Sequence, residues 1–381
     1  MNEPAFALQH DWRQQYGRPQ VFASLLLLAF LGQCLWLMAH TPLSPMEQSY
    51  IQQGQAQLSA GTVAEDAVRS PLTALTASLE VPRDRFQRFA EVRWLARLPF
   101  LIAGLLLGAS IWYVARRLYG NVGGYIALAL YAFAPSMVQR SAAAQPMILA
   151  TWGTFGAIFT AIAVSHTLYA PREVVLWNWK RIALLGVALA LAVGAQVGLL
   201  LILPLAFAIM LYVVPERRRA ALAIFAAACA VAWLLFWAFY NFHLHAMLRG
   251  LAHLGGREFM PSLLGHKLTY ELLGVFFLRL PAPTLLLIAA LITYAVWKRP
   301  RYFGTTAPLI AFAYLILLGI VLPQQGGYTM FVAALPFAFV FIAGVFADLL
   351  ATSAAGIVFG MLTGILIAHA LFSLMGLARV R

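Results

Sequence analysis

The sequence predicts an all-α, polytopic transmembrane helix bundle of about eleven spans. Apolar and aromatic residues make up 62% of the 381 residues, and only 10% are charged. Soluble domains normally have a charged fraction of about a quarter. Apolar runs of roughly 20 residues recur along the chain, and a helix of that length crosses a bilayer core of about 30 Å. The mean hydropathy of +0.82 agrees with a membrane protein.

The positive charge follows a membrane pattern. The formal net charge is +13, which in a soluble chain would suggest nucleic-acid binding. Here Lys and Arg cluster in short polar loops between apolar runs, which is typical of the cytoplasmic side of a membrane protein. No basic stripe with interleaved stacking aromatics is present, so we expect no nucleic-acid partner. Cys34 and Cys229 both lie within apolar runs, which excludes a CxxC metal or redox site.

Residues 1–20 are predicted to be a cytoplasmic tail, and residues 21–381 a single transmembrane domain. The first span, about 21–39, follows two arginines, and no small-x-small cleavage site follows it. We therefore interpret it as a retained anchor rather than a signal peptide. It places residues 40–96 outside as the first long external loop. The expected location is the plasma membrane, the inner membrane of a bacterium, with multiple passes.

The later spans alternate between the two sides by loop charge. One apolar run has basic residues at both ends, so it must turn back, and we expect the turn near Gly194–Gly198. A second external loop is expected at 241–270, and the C-terminus is expected outside. The NVGG segment at 121–124 is interpreted as a turn on the inner side. The remaining predicted spans are 97–115, 121–138, 146–167, 182–214 as two short helices, 220–240, 272–297, 305–322, 329–347 and 354–376.

Two helical segments are predicted in the first external loop. Gln48–Leu58 follows Ser44 and Pro45, which are typical of a helix cap and a first helical residue, and Glu47 lies in the first turn, where its charge favours the helix dipole. The second segment, around Arg83–Arg93, has apolar residues on one face and charged residues on the others. An amphipathic helix of this kind is expected to lie in the membrane interface.

Glu47 is the first candidate for catalysis. A carboxylate can act as the general base that takes the proton of an attacking hydroxyl group, and one carboxylate suffices for a single inverting displacement. At the mouth of the bundle, Glu47 would meet a lipid-borne substrate from the membrane and a polar substrate from water. The alternative is that its charge only stabilises the first turn of the helix.

Basic residues near the external interface form the second candidate group. Arginine pairs with phosphate oxygens through two parallel hydrogen bonds, which suits the phosphate of a lipid at the membrane interface. Arg97 at the start of a span and Arg279 inside an apolar run are the strongest candidates, because an unpaired guanidinium is costly in the membrane. Snorkelling toward lipid headgroups is the competing interpretation. The group comprises Arg93, Arg97, Arg140, Lys267 and Arg279.

We assign no metal or cofactor from the sequence. His243, His245, His253 and His266, with Glu258, make the second external loop rich in histidine. The HLH spacing could supply two ligands of a divalent metal on a strand, but the two side chains diverge on a helix. No phosphate-binding GxxxxGK[ST] or dinucleotide glycine pattern is present, which argues against a nucleotide-driven pump. The spans contain too few ionisable residues for a proton-coupled transporter.

Three stretches together resemble the GT-C superfamily of membrane glycosyltransferases, on the branch of the aminoarabinose and protein mannosyl transferases. SPMEQSYIQQGQAQLSAG at 44–61 is similar to the family's first-loop motif, an Asp-Glu pair followed by a Tyr-containing helix that ends in Gly. Glu47 and Tyr50 match this motif, and Met46 stands where the family usually has Asp.

The other two stretches lie within the predicted spans. Residues 97–152 are similar to the family's second to fourth spans, with Gln145 where an Asp is common. GGYTMFVAALPFAFVFIAG at 326–344 is similar to a late Tyr-x-x-x-x-x-x-Pro segment and matches at Tyr328 and Pro336.

The resemblance implies an enzyme that moves a sugar from a polyprenyl-phosphate carrier to an acceptor on the external face. Its partners would be membrane lipid and the lipid-linked sugar. We assign Glu47 as the catalytic residue and Arg93, Arg97 and Arg279 as ligands of the donor phosphate, and we assign substrate contacts to Tyr50, Gln145, Lys267 and Tyr328. The neutral residues at positions 46 and 145 leave one alternative open, a catalytically degenerate GT-C scaffold subunit within a larger membrane complex.

Overall fold

A computed structural model describes residues 18–60, 69–79, 89–169, 179–252, 274, 277, 279–297, 303–322 and 324–379 of the protein. Within these ranges every regular element is a helix, as predicted. The helices are α1 Arg18–His40, α2 Pro45–Ala60, α3 Pro71–Ser78, α4 Phe89–Ala132, α5 Pro135–Ser141, α6 Pro146–Thr167, α7 Trp179–Ala195, α8 Ile202–Val213, α9 Arg218–Ala238, α10 Leu244–Ala252, α11 Pro281–Val296, α12 Phe303–Val321, α13 Gln324–Leu349 and α14 Ala355–Ala378.

The helices confirm a multi-pass membrane protein. Among the described residues, seven helices are long and apolar enough to cross a bilayer, and two shorter apolar helices accompany them, at Val197–Val213 and Pro281–Val296. One of the seven, Val92–Ala132, has 41 residues, which exceeds one crossing. The predicted number of eleven spans stays a prediction.

Helix α4 doubles back at Gly120. This residue has φ 76° and ψ −175°, a backbone conformation that glycine adopts at little cost because it has no Cβ. The Tyr131 hydroxyl donates a hydrogen bond to the Gly104 carbonyl at 2.6 Å, so the parts of α4 before and after Gly120 lie side by side. The predicted inner turn therefore falls at Gly120, and residues 121–124 already belong to the returning helix.

Pro135 ends the returning helix earlier than predicted, and Pro146 ends the short segment that follows it. We expected a span to residue 138, but α4 ends at Ala132. Ala134 precedes Pro135 and has an extended ψ of 112°, because the proline ring disfavours the helical conformation of the residue before it. Gln145 is extended before Pro146 for the same reason. The short helix α5 and a turn at 142–145 therefore separate α4 from α6.

The long apolar run at 182–214 is interrupted where the sequence predicted. Helix α7 ends at Ala195, Gln196 is extended with φ −153° and ψ 114°, and a 3-10 helix, Val197–Leu201, leads into α8. Helix α7 packs on α6 and α9, and α8 also packs on α6. The break at Gln196 is thus enclosed by protein, which is the condition for irregular backbone at membrane depth.

Helix α13 forms the centre of the bundle. In an apolar stretch of 18 residues of α13, 94% are buried, whereas the same share for the peripheral α14 is only 17%. Helices α4, α6, α11 and α12 pack around α13. Its aromatic residues fill the core and are fully buried: Phe331, Phe337, Phe339 and Phe341.

Long-range contacts separate the loops into two groups, one at each end of the bundle. At one end, Tyr119 bonds to the carbonyl of Gly304 and Tyr125 to that of Pro19. The first loop after α1 instead meets the α5–α6 turn at the other end. The grouping matches the predicted alternation of loops, while the side of the membrane that each end faces stays a prediction.

Replacing Gly153 with alanine is expected to lower the thermal unfolding midpoint. A Cβ at this position would lie 2.3 Å from the backbone nitrogen of Ala192, so α6 and α7 would have to move apart at a cost of about 1–3 kcal/mol. Gly364→Ala is the control, since nothing lies within 4 Å of its added Cβ and alanine favours helix by about 1 kcal/mol. Tryptophan fluorescence during heating in detergent measures both, and equal midpoints would contradict the packing described.

Candidate functional site

The candidate site begins at the cap of α2. The Ser44 backbone N–H donates to Oε2 of Glu47 at 2.8 Å, and the Glu47 backbone N–H donates to the Ser44 hydroxyl at 3.3 Å. This reciprocal pair is a capping box, with Pro45 at the first helical position as predicted. The cap fixes the Glu47 side chain on the face of α2 that packs against the other helices, and only 2% of the residue is exposed.

Glu47 and Arg97 form a buried, two-pronged ion pair. Nε of Arg97 donates to Oε1 of Glu47 at 2.7 Å, and Nη2 donates to Oε2 at 2.9 Å. Both residues are only 2% exposed. Two parallel hydrogen bonds between a guanidinium and a carboxylate are the strongest form of such a pair, and low exposure removes the screening by water.

The remaining donors of Arg97 hold the end of α1. Nη1 donates to the carbonyl and hydroxyl oxygens of Thr41 at 2.9 and 3.2 Å, and Nη2 also donates to the Pro42 carbonyl at 2.8 Å. A guanidinium has five N–H groups, and these contacts with Glu47, Thr41 and Pro42 use all of them. Arg97 therefore joins the start of α4 to the segment between α1 and α2.

Glu47 in turn anchors the turn between α5 and α6. The Ala144 backbone N–H donates to its Oε1 at 2.9 Å. Burial by itself raises the pKa of Glu47, but the hydrogen bonds from Arg97, Ser44 and Ala144 and the charge of Arg97 together hold the pKa below its ordinary value of 4.5. The carboxylate is therefore ionised and accepts two hydrogen bonds on each oxygen.

This geometry affects the two roles predicted for the pair. A carboxylate with a lowered pKa and four hydrogen bonds is a weak general base, and a guanidinium with five acceptors has no donor left for a phosphate. In the arrangement described, Glu47 and Arg97 position the first loop. Their predicted roles as base and phosphate ligand stay predictions that require the pair to separate.

We call Glu47, Arg97 and the groups that they bond the Glu47 anchor. A second polar cluster lies beside it and consists of Arg140, Gln145 and Tyr328. Nη1 of Arg140 donates to Oε1 of Gln145 at 2.7 Å, and Nη2 donates to the Tyr328 hydroxyl at 3.0 Å. The guanidinium also lies over the Tyr328 ring, 5.2 Å from its centroid. All three side chains are partly exposed. Gln145 follows Ala144 directly, so the cluster adjoins the Glu47 anchor.

The two positions where the family resemblance implies acidic residues are both accessible. Met46 is 57% exposed, whereas its neighbour Glu47 is buried. Gln145 is partly exposed and bonded to Arg140. The residue that matches the family motif is thus the buried member of the first-loop pair, and the exposed member is neutral.

The other predicted site residues are distributed differently. Arg93 lies one turn before Arg97 on α4, and its Nε is buried without a hydrogen-bond partner among the described residues. Tyr50 bonds to Ser70, and burial raises its pKa. Arg279 was expected inside a span, but it lies in the turn before α11, and its side chain is exposed rather than buried among the helices. Lys267 lies outside the described residues.

The histidine-rich loop is described only in part. His243 and His245 are exposed at the start of α10, and the residues from 253 to 273 lie outside the described ranges. In the part of the chain that the structure describes, no group of three or more His, Cys, Asp or Glu residues could hold a metal ion. Sequence reasoning missed the ligands of the anchor other than Glu47 and Arg97, because these are mostly backbone groups and carry no residue-type signal.

No protein-family sequence model and no curated protein sequence matches the chain. Solved structures do match in fold. The structure of ArnT from Cupriavidus metallidurans bound to undecaprenyl phosphate has a TM-score of 0.65 and 14% identity, covering 90% of this chain and 62% of that chain.

An archaeal protein matches over a similar extent. The Archaeoglobus fulgidus oligosaccharyltransferase complex with Zn and sulfate has a TM-score of 0.57 and 14% identity, covering 92% of this chain and 53% of that chain. The AglB complex from the same organism, with an inhibitory peptide and a dolichol-phosphate, has a TM-score of 0.55 and 13% identity. That match covers 97% of this chain and 56% of the AglB chain. The chain thus spans between half and two thirds of the length of these proteins, and the likeness shows the fold.

Breaking the ion pair is expected to destabilise the protein strongly. Glu47→Gln removes the counterion of a buried guanidinium, which costs about 3–5 kcal/mol, and Arg97→Met does the same to the carboxylate. The double variant should lose less than the sum of the two, by about 0.5–3 kcal/mol, since neither charge is left alone. Thermal midpoints of the wild type, the two single variants and the double variant are measured in detergent, with Arg117→Met as control, because Arg117 is exposed near the bend of α4 at Gly120. Strictly additive losses would contradict a coupled pair.

The same pair predicts a pH dependence of stability. Because the pKa of Glu47 is lower in the folded protein than its ordinary value of 4.5, its contribution is fully present above that value. It is lost as the pH falls through the folded-state pKa. The thermal midpoint of the wild type should therefore fall more steeply than that of Glu47→Gln between about pH 5 and pH 3. Parallel profiles for the two proteins would show that Glu47 does not gain stability from its ionised form.

Proposed function

We propose that this chain, which has the fold of the GT-C membrane glycosyltransferases, transfers a sugar from a polyprenyl-phosphate carrier to an acceptor on the external face of the membrane. The observation that supports this most is the extent of the fold likeness, which covers 90% of the chain against ArnT, a protein whose structure contains undecaprenyl phosphate. The first loop, closed onto the bundle by Glu47 and Arg97, forms one wall of the proposed site.

Arg93 is the proposed ligand of the donor phosphate. Its Nε is buried and has no partner among the described residues, whereas all donors of Arg97 are used. An Arg held close to the bundle with a free donor suits a phosphate that arrives from the membrane. Arg140, which is partly exposed, supplies a second positive charge, and Lys267 and Arg279 stay predicted contributors.

Glu47 remains the proposed base for the acceptor hydroxyl, with one condition. While Arg97 holds both of its oxygens, the carboxylate is a weak base. In this proposal the developing charge on the leaving phosphate draws Arg97 away from Glu47, and the freed carboxylate accepts the proton. Tyr50, Gln145 and Tyr328 stay the proposed substrate contacts around it.

The second candidate function is that of a scaffold subunit that keeps the fold and binds the lipid without turnover. The exposed Met46 and the neutral Gln145 favour it, because the accessible first-loop position has no carboxylate. The two functions share lipid binding and differ in turnover. A scaffold would also co-purify with partner membrane proteins in fixed proportion.

Arg93→Gln is expected to weaken the binding of undecaprenyl phosphate about tenfold or more, since a hydrogen bond from a charged group contributes about 1.5–3 kcal/mol. Native mass spectrometry of the full chain in detergent measures the binding. Arg117→Gln is the matched control, because Arg117 is exposed near the bend of α4 at Gly120, away from Arg93, and it should bind as the wild type does. Equal binding by Arg93→Gln would exclude Arg93 from the site.

Turnover separates the enzyme from the scaffold. The enzyme should release free polyprenyl phosphate from at least one member of a panel of polyprenyl-phosphate sugars supplied with acceptor lipid or glycan, and Glu47→Gln should abolish that release. Binding of the lipid without release by the wild type would favour the scaffold. Absence of any binding to undecaprenyl phosphate would contradict both.

A further inference from the structure

A patch of exposed basic residues lies at the end of the bundle opposite the Glu47 anchor. The anchor binds the Ala144 N–H just before α6 begins, whereas Nη1 of Arg217 donates to the Leu168 carbonyl just after α6 ends. Helix α6 has 22 residues and is therefore about 33 Å long, close to the thickness of the hydrocarbon core of a membrane. We call this set the basic patch, and it comprises Lys180, Arg181, Arg217, Arg218 and Arg219, all exposed.

Helix α7 runs antiparallel to α6, so its start lies beside the end of α6. An added Cβ at Gly153 would lie 2.3 Å from the backbone nitrogen of Ala192, and one at Gly156 would lie 3.3 Å from Cβ of Ala188. The numbers of the contacting residues therefore fall along α7 as they rise along α6. Continued at this register, the two basic residues that begin α7 lie level with the last turn of α6, next to the carbonyl that binds Arg217.

Helix α9 runs parallel to α7 and begins at the same end. An added Cβ at Gly186 would lie 2.7 Å from the Ala228 carbonyl oxygen and 2.7 Å from Cβ of Val231, and further along, one at Gly194 would lie 2.6 Å from the Phe239 ring. The numbers of the contacting residues rise together along the two helices. The start of α7 and the first turns of α9 therefore lie side by side, which brings the basic residues of both helices together.

The ends of α6 and α8 and the start of α9 are joined beneath the patch. Leu168, Val214 and Ala221 form one buried apolar cluster. The Tyr169 hydroxyl donates to the Val213 carbonyl at 2.7 Å. The basic side chains therefore extend from a packed base.

The surface that continues from the patch along α7 and α9 is apolar and exposed. On α7, Leu184 and Val187 follow Lys180 at the i+4 and i+7 spacing of one helical face, and all three are exposed. On α9, Leu222 is exposed, and only 17% of the residues in its apolar stretch are buried. In a multi-pass membrane protein such a surface contacts acyl chains. A cationic rim above it matches the shape of a phospholipid, which has a phosphate above its acyl chains.

Exposed aromatic residues at the same end are typical of the membrane interface. Trp179 directly precedes Lys180, and Tyr169 and Tyr212 are also exposed. Tryptophan and tyrosine are enriched at the level of the lipid headgroups, because their rings are apolar and carry one polar group. These residues favour a lipid over a soluble polyanion as the partner. Glu216 is the one acidic residue among 179–181 and 215–219, so the five basic residues leave a net charge of +4.

We propose that the basic patch binds the phosphate of an anionic phospholipid whose acyl chains lie along α7 and α9. This site is separate from the site of the proposed function and does not depend on it. A zwitterionic lipid binds more weakly, because its ammonium group is repelled by the patch. Two of the arginines also donate to backbone carbonyls, so Lys180, Arg181 and Arg219 contribute most to the selectivity.

The test mixes the full chain in detergent with equal amounts of dioleoyl phosphatidylglycerol and dioleoyl phosphatidylcholine, and native mass spectrometry measures the bound lipids. The wild type should retain more phosphatidylglycerol. Each basic residue near an anionic lipid surface contributes about fivefold in affinity, so Lys180→Gln and Arg219→Gln should each lower the ratio of the two bound lipids by about that factor. Rising salt should lower the ratio of the wild type, because exposed charges are screened.

Arg117→Gln and Arg379→Gln are the matched controls, because each removes one exposed positive charge outside the patch, and both should keep the ratio of the wild type. Lys180→Arg retains the charge and should also keep it. Thermal midpoints verify that each variant is folded. A wild type without preference for phosphatidylglycerol, or equal losses in the patch variants and the controls, would overturn the proposal.

A second measurement locates the lipid and distinguishes it from a soluble polyanion. Phosphatidylglycerol with a diazirine in one acyl chain should, after irradiation in nanodiscs, label peptides of α7 and α9 more than those of α14, which is as little buried as α9. Equal labelling of α14 would overturn the proposal. So would displacement of phosphatidylglycerol from the patch by an equal concentration of inositol hexakisphosphate, which would assign the patch to a soluble polyanion. Binding of undecaprenyl phosphate tests the proposed function separately.

Discussion

The structure at one end of the bundle, where the first loop meets the α5–α6 turn, depends on one buried ion pair. Glu47 and Arg97 are 50 residues apart, and through them the end of α1, the cap of α2, the start of α4 and the α5–α6 turn are held together. A buried charge pair is tolerated only when every remaining donor and acceptor is satisfied, and here backbone groups provide those partners. The pair therefore connects these four segments through hydrogen bonds and fixes their relative positions.

Prolines and one glycine shape the segments that the pair connects. Pro135 and Pro146 force the residues before them out of the helical conformation, which creates the turn that presents the Ala144 N–H to Glu47. Gly120 allows α4 to double back at the opposite end. These breaks are local effects of residue type, and they determine which backbone groups become free to act as ligands.

Among the residues that the structure describes, the accessible part of the site is neutral or basic. Met46 and Gln145 occupy the positions where the family resemblance implies acidic residues, and Arg93 and Arg140 supply positive charge beside them. Such a surface is compatible with the anionic lipid phosphate of the proposed function. Both proposed functions, the glycosyltransferase and the scaffold, require that lipid, and they differ in whether a carboxylate becomes available for chemistry.

The sequence by itself determined the fold class, the multi-pass membrane character, the cap at Ser44 and Pro45, and the break within 182–214, because hydropathy, capping and helix interruption depend on neighbouring residues. It also singled out Glu47 as a candidate catalytic residue and Arg97 as a candidate ligand of the donor phosphate. Only the tertiary structure decided that they satisfy each other, since the contact between Glu47 and Ala144 joins residues 97 positions apart and involves a backbone group that has no signature in the sequence. The exposed position of Arg279 was likewise decided by packing, because burial of a polar side chain is a property of the whole bundle.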